Sequence, residues 1–138
     1  METVEILNSS SLRVTGNRLD ILEIFKENSF ALAESFLEEK LSGKCDRVTI
    51  YRTLKTFEDS GIIHRVLDEN NIVKYALCGH GCHDSSEHSH DHVHFKCKTC
   101  GQTTCIDSVP IQKIKLPEGY AQEETFLLIV GECKTCKQ

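Results

Sequence analysis

The sequence predicts an α+β fold made of two small lobes. Helical periodicity of apolar residues occurs three times before residue 61, and two short β-branched runs follow it. Composition then changes near residue 76, after which lie seven of the eight cysteines and six of the seven histidines. Three helices followed by a hairpin is the order of a winged helix-turn-helix, and the remainder is typical of a small α/β lobe.

Helix start and stop signals place the three helices. Residues 15–27 begin at the cap residue Thr15, and residues 30–41 repeat the apolar pattern before the Ser42–Gly43 pair. Asp46 caps a third helix that runs to about Ser60 and stops at Gly61. Runs at 62–67 and 72–77, separated by the turn-forming residues 68–71, then predict a hairpin.

The second lobe carries weaker signals. Residues 78–92 are polar and predict a hinge loop between an N-terminal domain at 1–77 and a C-terminal dimerisation domain at 93–138. Within the latter, strands at 93–97 and 103–106 flank a turn, residues 110–116 suggest a short helix, and 125–131 suggest a buried strand. So thin a core favours pairing with a second copy of the chain.

Composition excludes several classes of protein. The first residues resemble no signal peptide, and no run approaches the roughly 18 apolar residues of a membrane span. The chain is therefore expected to be cytoplasmic, where cysteine clusters indicate metal more often than disulfides. The net charge of −5 disfavours nucleic acid, but residues 44–55 hold four basic side chains and one acid.

The third helix has an apolar stripe and a polar face. Ile50, Leu54 and Phe57 form the stripe, while the other sides carry Thr49, Tyr51, Arg52 and Lys55. Such side chains can contact phosphates and base edges in a DNA groove, although an ordinary solvated helix face has a similar composition.

Two CxxC pairs predict a structural metal site. Cys97 with Cys100 and Cys133 with Cys136 supply four thiolates, the donor set that zinc takes in closed tetrahedral sites. Two redox dithiols or a coincidence are the alternatives. If the four cysteines hold zinc, the free energy of zinc binding forms part of the folding free energy of this small lobe.

The remaining possible ligands exceed the needs of one site. They are His64, Cys78, His80, Cys82, His83, His88, His90, His92, His94 and Cys105. His92 and His94 alternate along a strand and are expected on one face. A site that joins groups from both lobes would tie lobe orientation to metal occupancy, whereas the 80–90 stretch is typical of a loosely binding tail.

The sequence contains none of the common enzyme motifs. The run from His88 to His92 is one residue short of the HxHxDH pattern of binuclear hydrolases, and no nucleophile elbow, P-loop or dinucleotide fingerprint is present. We therefore expect no catalytic activity.

Four segments, in order, resemble the ferric uptake regulator family. Residues 14–22 resemble its first-helix signature, 49–54 its TVYRTL recognition helix, 92–101 its HxHxxCxxCG segment and 131–136 its closing GxCxxC. The resemblance implies a DNA-binding winged-helix domain, a dimerisation domain, a structural zinc and a homodimer that represses at a palindromic operator on double-stranded DNA when a regulatory metal binds. It assigns DNA contacts to Tyr51 and Arg52 and weaker ones to Arg13 and Arg18. Thr49 and Lys55, on the polar sides of the third helix, complete the expected DNA-binding residues.

The resemblance also bears on the sensed metal. Iron and peroxide sensors have histidine or carboxylate ligands where this chain has Phe30, Ala76, Cys105 and Thr125. Zinc uptake regulators are more similar around His64 and Cys78. We therefore expect a Zn²⁺ sensor whose regulatory ligands are His64, Cys78, His92 and His94, with Cys105 or Cys82 as replacements.

Two alternatives stay open. One is an iron- or peroxide-responsive regulator of the same family that uses Fe²⁺ or Mn²⁺. The other, from a different class, is a zinc-storage or zinc-delivery protein that uses the histidine-rich stretch.

Overall fold

The computed structural model describes residues 2–67, 70–77, 92–110, 114–123, 125 and 127–137, and for His92, Asp107, Ser108 and Pro110 it describes the backbone alone. In chain order the elements are α1 (Thr3–Ser9), α2 (Gly16–Glu27), β1 (Leu32–Ala33), α3 (Glu34–Lys40), α4 (Arg47–Asp59), β2 (Ile63–Leu67), β3 (Val73–Leu77), β4 (His92–Cys97), β5 (Thr103–Pro110) and β6 (Leu127–Gly131). The predicted α+β class is confirmed.

Capping chemistry sets the helix ends as predicted. The Thr15 side chain accepts a hydrogen bond from the Arg18 backbone N–H at 3.3 Å, which starts α2. Asp46 does the same for Thr49 at 2.8 Å and starts α4. Gly61 follows α4 with a φ of +78°, a left-handed conformation that glycine adopts without strain.

Two helix predictions need correction. The sequence reading missed α1, whose Ile6 and Leu7 are buried in the first-lobe core. The second predicted helix begins at Glu34 rather than residue 30, because Leu32 and Ala33 form a short strand paired with β3. Pairing with a strand distant in sequence overrides a local helical pattern.

The first lobe has a core of its own. Helices α2, α3 and α4 pack against a three-stranded sheet in the order β1-β3-β2, and α1 packs against α2. Phe57 and Leu54 of α4 are fully buried in the core. The hairpin of β2 and β3 is antiparallel, and its register pairs His64 with Ala76 and Val66 with Lys74.

The second lobe is a sheet in the order β5-β4-β6. β4 pairs antiparallel with β5 and parallel with β6, and this register places Cys97 opposite Gly131. Val93 and Cys97 are the buried apolar residues among those described in this lobe. No described helix combines the length and the apolar composition that a bilayer crossing requires.

Two predictions for this lobe are wrong. Residues 114–116 have no regular structure and Pro110 ends β5, so no helix spans the described part of 110–116. Strand β6 is largely exposed rather than buried, because it lies at the edge of the sheet with no described element covering its outer side.

Candidate functional site

The four cysteines of the two CxxC pairs come together at one end of the second lobe. The Sγ atoms of Cys97, Cys100, Cys133 and Cys136 all lie within 4.8 Å of one another. The two pairs fold alike: the Cys97 carbonyl accepts from the Gly101 N–H at 2.8 Å, and the Cys133 carbonyl accepts from the Lys137 N–H at 2.9 Å. The parallel pairing of β6 with β4 brings the second pair beside the first.

Backbone donors prepare Cys97 to be a thiolate. The N–H groups of Cys100 and Cys133 point at its Sγ, at 3.5 Å and 3.4 Å, and lower the pKa of the Cys97 thiol to about 6. A hydrogen bond with the Cys133 sulfur raises the pKa of Cys136 to about 12.

The donor set fits zinc. A tetrahedral site with Zn–S bonds of ~2.3 Å has sulfurs about 3.8 Å apart, within the spread of these four atoms. Four thiolates would leave no open position, as in structural sites.

A second cluster lies where the lobes meet. The Nε2 atoms of His64 on β2 and His94 on β4 are 3.2 Å apart, and both residues are buried, with exposures of 5% and 4%. Cys105 on β5 completes the group, whose ligand atoms lie within 4.8 Å of one another. Cys105 is opposite His94 in the β4–β5 register, so strand pairing delivers both side chains to one face.

This second donor set also fits a tetrahedral cation. With metal–nitrogen bonds of ~2.0–2.1 Å, the two nitrogens of such a site lie about 3.3 Å apart, close to the separation of the two imidazoles. Two imidazoles and one thiolate leave a fourth position for another ligand. Zn²⁺ accepts this mixture more readily than Fe²⁺ or Mn²⁺, because a thiolate is a soft ligand.

Two of the predicted regulatory ligands and one of the two replacement ligands lie together in the structure. His64 and His94 meet, and Cys105 joins them. Cys78 and Cys82, with His80, His83, His88 and His90, lie outside the described residues, so their roles stay predictions. The His92 backbone begins β4, where the pairing with β5 shifts register before Val93.

Helix α4 exposes the predicted polar face. Tyr51 is 56% exposed, and Arg52 and Lys55 are exposed beside it, while Ile50 and Leu54 are buried as predicted. Thr49 is half-buried, its backbone N–H donates to the Asp46 carboxylate, and its carbonyl accepts from the Thr53 hydroxyl.

Other residues extend or qualify this face. Val48 is 54% exposed at the start of α4, an apolar group that the sequence reading left out although its place one turn before Arg52 could have indicated it. Arg47 is held by Glu38 of α3 at 3.0 Å. Arg18 donates to the Arg13 carbonyl at 2.8 Å, so its guanidinium also stabilises the entry to α2, and Arg13 itself is exposed.

Comparison with known proteins places the chain in a family. Residues 9–128 match the model of the ferric uptake regulator family. The ferric uptake regulation protein of Staphylococcus epidermidis is 30% identical over 141 residues, which cover 99% of this chain and 96% of that protein.

Solved structures agree on the fold. A ferric uptake regulator from Francisella tularensis with iron is 28% identical, with a TM-score of 0.55, covering 92% of this chain and 96% of that one. A zinc uptake regulator in complex with zinc and DNA is 20% identical, with a TM-score of 0.65, covering 97% and 89% respectively. This chain therefore belongs to the ferric uptake regulator family, whose members are metal-dependent transcription regulators and not enzymes.

Proposed function

We propose that this protein is a zinc-sensing repressor that binds a palindromic operator as a homodimer. The observation that carries the proposal is the group of His64, His94 and Cys105, which is built from both lobes at their contact, with both imidazoles buried and Cys105 half-buried. Because two imidazoles and a thiolate form the donor set, zinc is the cation this site is expected to select. We assign the four-cysteine cluster to a second, structural zinc.

The position of His64 supports a role in switching. β2 begins four residues after the last residue of α4, so His64 lies on the strand that directly follows the proposed recognition helix. His94 and Cys105 belong to the second lobe. Zinc held by all three would link the lobes and thereby limit the orientations of α4. In a dimer, two such helices can enter successive major grooves only when they are roughly 34 Å apart.

The exposed face of α4 supports DNA contact. Arg52 and Lys55 offer charged donors to guanine edges and phosphates, and Tyr51 offers a hydroxyl and an aromatic ring. Val48 adds an apolar group suited to a thymine methyl.

A selection experiment tests the proposal. Random duplexes are enriched with the zinc-loaded protein, and the enriched sequence is titrated with metal-free, zinc-loaded and anaerobic Fe²⁺-loaded protein. The proposal expects an inverted repeat and binding that depends on zinc. Tight binding with Fe²⁺ alone would favour an iron-responsive regulator, and failure to enrich any sequence, with several weakly held zinc ions, would favour storage or delivery.

Within that assay, Arg52→Ala should weaken operator binding. Loss of a bidentate base contact costs about 1–3 kcal/mol, or roughly 5- to 150-fold in Kd for each half-site. Lys115→Ala removes the same charge from an exposed position in the second lobe and should change Kd little. Equal effects of the two substitutions would contradict a direct role for Arg52.

The exposed apolar residues of the second lobe support the homodimer. β6 is an edge strand, and it carries Leu127, Ile129 and Val130 at 39–46% exposure. An uncovered apolar edge strand is a template for pairing with another chain. Ile114 and Tyr120 of the same lobe are also exposed, which enlarges the apolar surface.

Ile129→Asp should therefore convert the dimer to a monomer, because a buried unpaired carboxylate is costly at an interface. Light scattering after size-exclusion chromatography measures the mass. Val4→Asp places the same charge at a similarly exposed residue of α1 and should leave the dimer intact. A dimeric Ile129→Asp protein would exclude β6 from the interface.

A further inference from the structure

The β2–β3 hairpin has two faces with different partners. Ile63 and Tyr75 point into the core of the first lobe. His64, Val66, Lys74 and Ala76 occupy the opposite face, because they alternate with the core residues and pair across the two strands. This opposite face of the hairpin contacts the second lobe, and it is called the docking face.

The docking face contacts the second lobe at its two ends. His64 meets His94 and Cys105 at one end. Val66 and Ala76 of the docking face are buried and cluster with Ala31 of the same lobe. At the Lys74 end, the lobes are joined by hydrogen bonds that need no metal.

Lys74 makes two of these hydrogen bonds. Its Nζ donates to the Gly101 carbonyl at 3.2 Å and to the Thr103 Oγ1 at 3.3 Å. The Thr103 carbonyl accepts from the Ala31 N–H at 2.6 Å, and Thr103 is fully buried. An ammonium group that donates to two acceptors across an interface resists separation of the two surfaces.

The acceptor on Gly101 belongs to the turn of the four-cysteine cluster. Gly101 has a φ of +79°, and its N–H donates to the Cys97 carbonyl, so the fold of the CxxC turn determines where its own carbonyl points. The same β4–β5 hairpin carries His94 and Cys105 further along its strands. Lys74 therefore connects the β2–β3 hairpin to the β4–β5 hairpin, which contributes residues to both clusters.

We propose that Lys74 is a positioning residue, a metal-independent tether that holds the docking face so that His64 lies within reach of His94 and Cys105. The inference rests on the proposed function, because it assigns Lys74 a part in setting the zinc concentration at which the switch closes. A tether that favours the closed arrangement raises apparent metal affinity by the factor by which it raises the closed population.

Lys74→Met removes the donor and keeps the aliphatic stem. We expect the zinc concentration for half-maximal operator binding to rise by roughly 3- to 10-fold, the range for losing hydrogen bonds across a partly exposed contact. Operator affinity at saturating zinc should stay unchanged, because the tether shifts a population and touches no DNA. Lys74→Arg, which retains charge and donors, should restore most of the zinc affinity. Lys26→Met, at an exposed position of α2, controls for lost charge.

Amide hydrogen exchange gives a readout independent of DNA. The Ala31 N–H donates across the lobe contact, so its protection reports closure. In Lys74→Met without zinc at the inter-lobe site, Ala31 should exchange faster than in the wild-type protein, because the open arrangement is more populated. The amide of Leu54, in the first-lobe core, should keep its protection and so show that the fold is intact.

The outcomes separate the two proposals. If wild-type protein binds no operator in a zinc-dependent way, the proposed function fails. If wild type responds to zinc but Lys74→Met matches it in both zinc titration and Ala31 exchange, the tether is excluded and the sensor stands. A loss in Lys74→Met that Lys74→Arg does not rescue would also contradict a tether based on donated hydrogen bonds.

Discussion

Cys97→Ser is expected to remove one tightly held zinc ion per chain and to unfold the second lobe. Cys97 is the buried member of its cluster, and its sulfur accepts backbone N–H groups from both CxxC turns. Serine offers a hydroxyl that is a poor zinc ligand and that stays protonated at neutral pH. The substitution therefore loses a ligand together with the thiolate that organises the two turns.

The size of this effect follows from the thin core of the second lobe. Among its described residues, Val93 and Cys97 are the buried apolar ones. The core of the first lobe, by contrast, contains side chains from four helices and from the β1-β3-β2 sheet. Zinc binding to a closed structural site is worth about 10–16 kcal/mol at neutral pH. The free energy of zinc binding is therefore as large as the whole free energy of unfolding of a typical domain, which is roughly 5–15 kcal/mol.

Metal analysis and amide exchange on the purified protein measure both effects. Cys45→Ser is the matched control, because Cys45 lies outside both clusters and only packs against the first-lobe core. It should keep the full zinc content and second-lobe protection. A Cys97→Ser protein with unchanged zinc content and a protected β4 would overturn the structural assignment.

His64→Ala is expected to abolish zinc-dependent operator binding while leaving the four-cysteine zinc in place. It removes the first-lobe ligand of the group, so cation binding by His94 and Cys105 would no longer join the lobes. Losing one ligand of a small site lowers affinity by at least the roughly 10- to 100-fold seen when only an outer-shell partner is lost. Metal content should fall by one of the two proposed zinc ions.

A substitution at a neighbouring residue that is not a metal ligand controls for the loss of packing. Val66→Ala shortens a buried side chain on the same strand and face, without removing a ligand. It should lower stability modestly and keep the zinc response. If His64→Ala and Val66→Ala behave alike, His64 acts through packing and the cluster is not the sensor.

Cys105 allows the metal preference itself to be tested. In protein whose four-cysteine cluster is filled with zinc, cobalt(II) bound with Cys105 as ligand should show thiolate-to-metal charge-transfer absorption that disappears in Cys105→Ser. Cys105→Asp replaces a soft donor with a hard one, and it should shift relative affinity away from Zn²⁺ toward Fe²⁺ or Mn²⁺. An unchanged preference would place Cys105 outside the coordinating set.

Local patterns in the sequence determined much of this protein. The two CxxC pairs, the caps at Thr15 and Asp46, and the stripe of α4 each depend on residues a few positions apart, so spacing alone predicts them. The hairpin was predicted for the same reason, since strand runs and a turn are local signals. The family resemblance then required only that these segments occur in order.

Tertiary structure decided what local spacing could not. The sequence left Cys105 among several candidate thiols, and it is the β4–β5 register that sets Cys105 opposite His94. The burial of His64 and the contacts of Lys74 depend on which hairpin face meets the second lobe. The pairing of β1 with β3 and the exposed edge of β6 likewise depend on strand order. Register, strand order and lobe docking arise from contacts between residues far apart in the chain, and no short window of sequence encodes them.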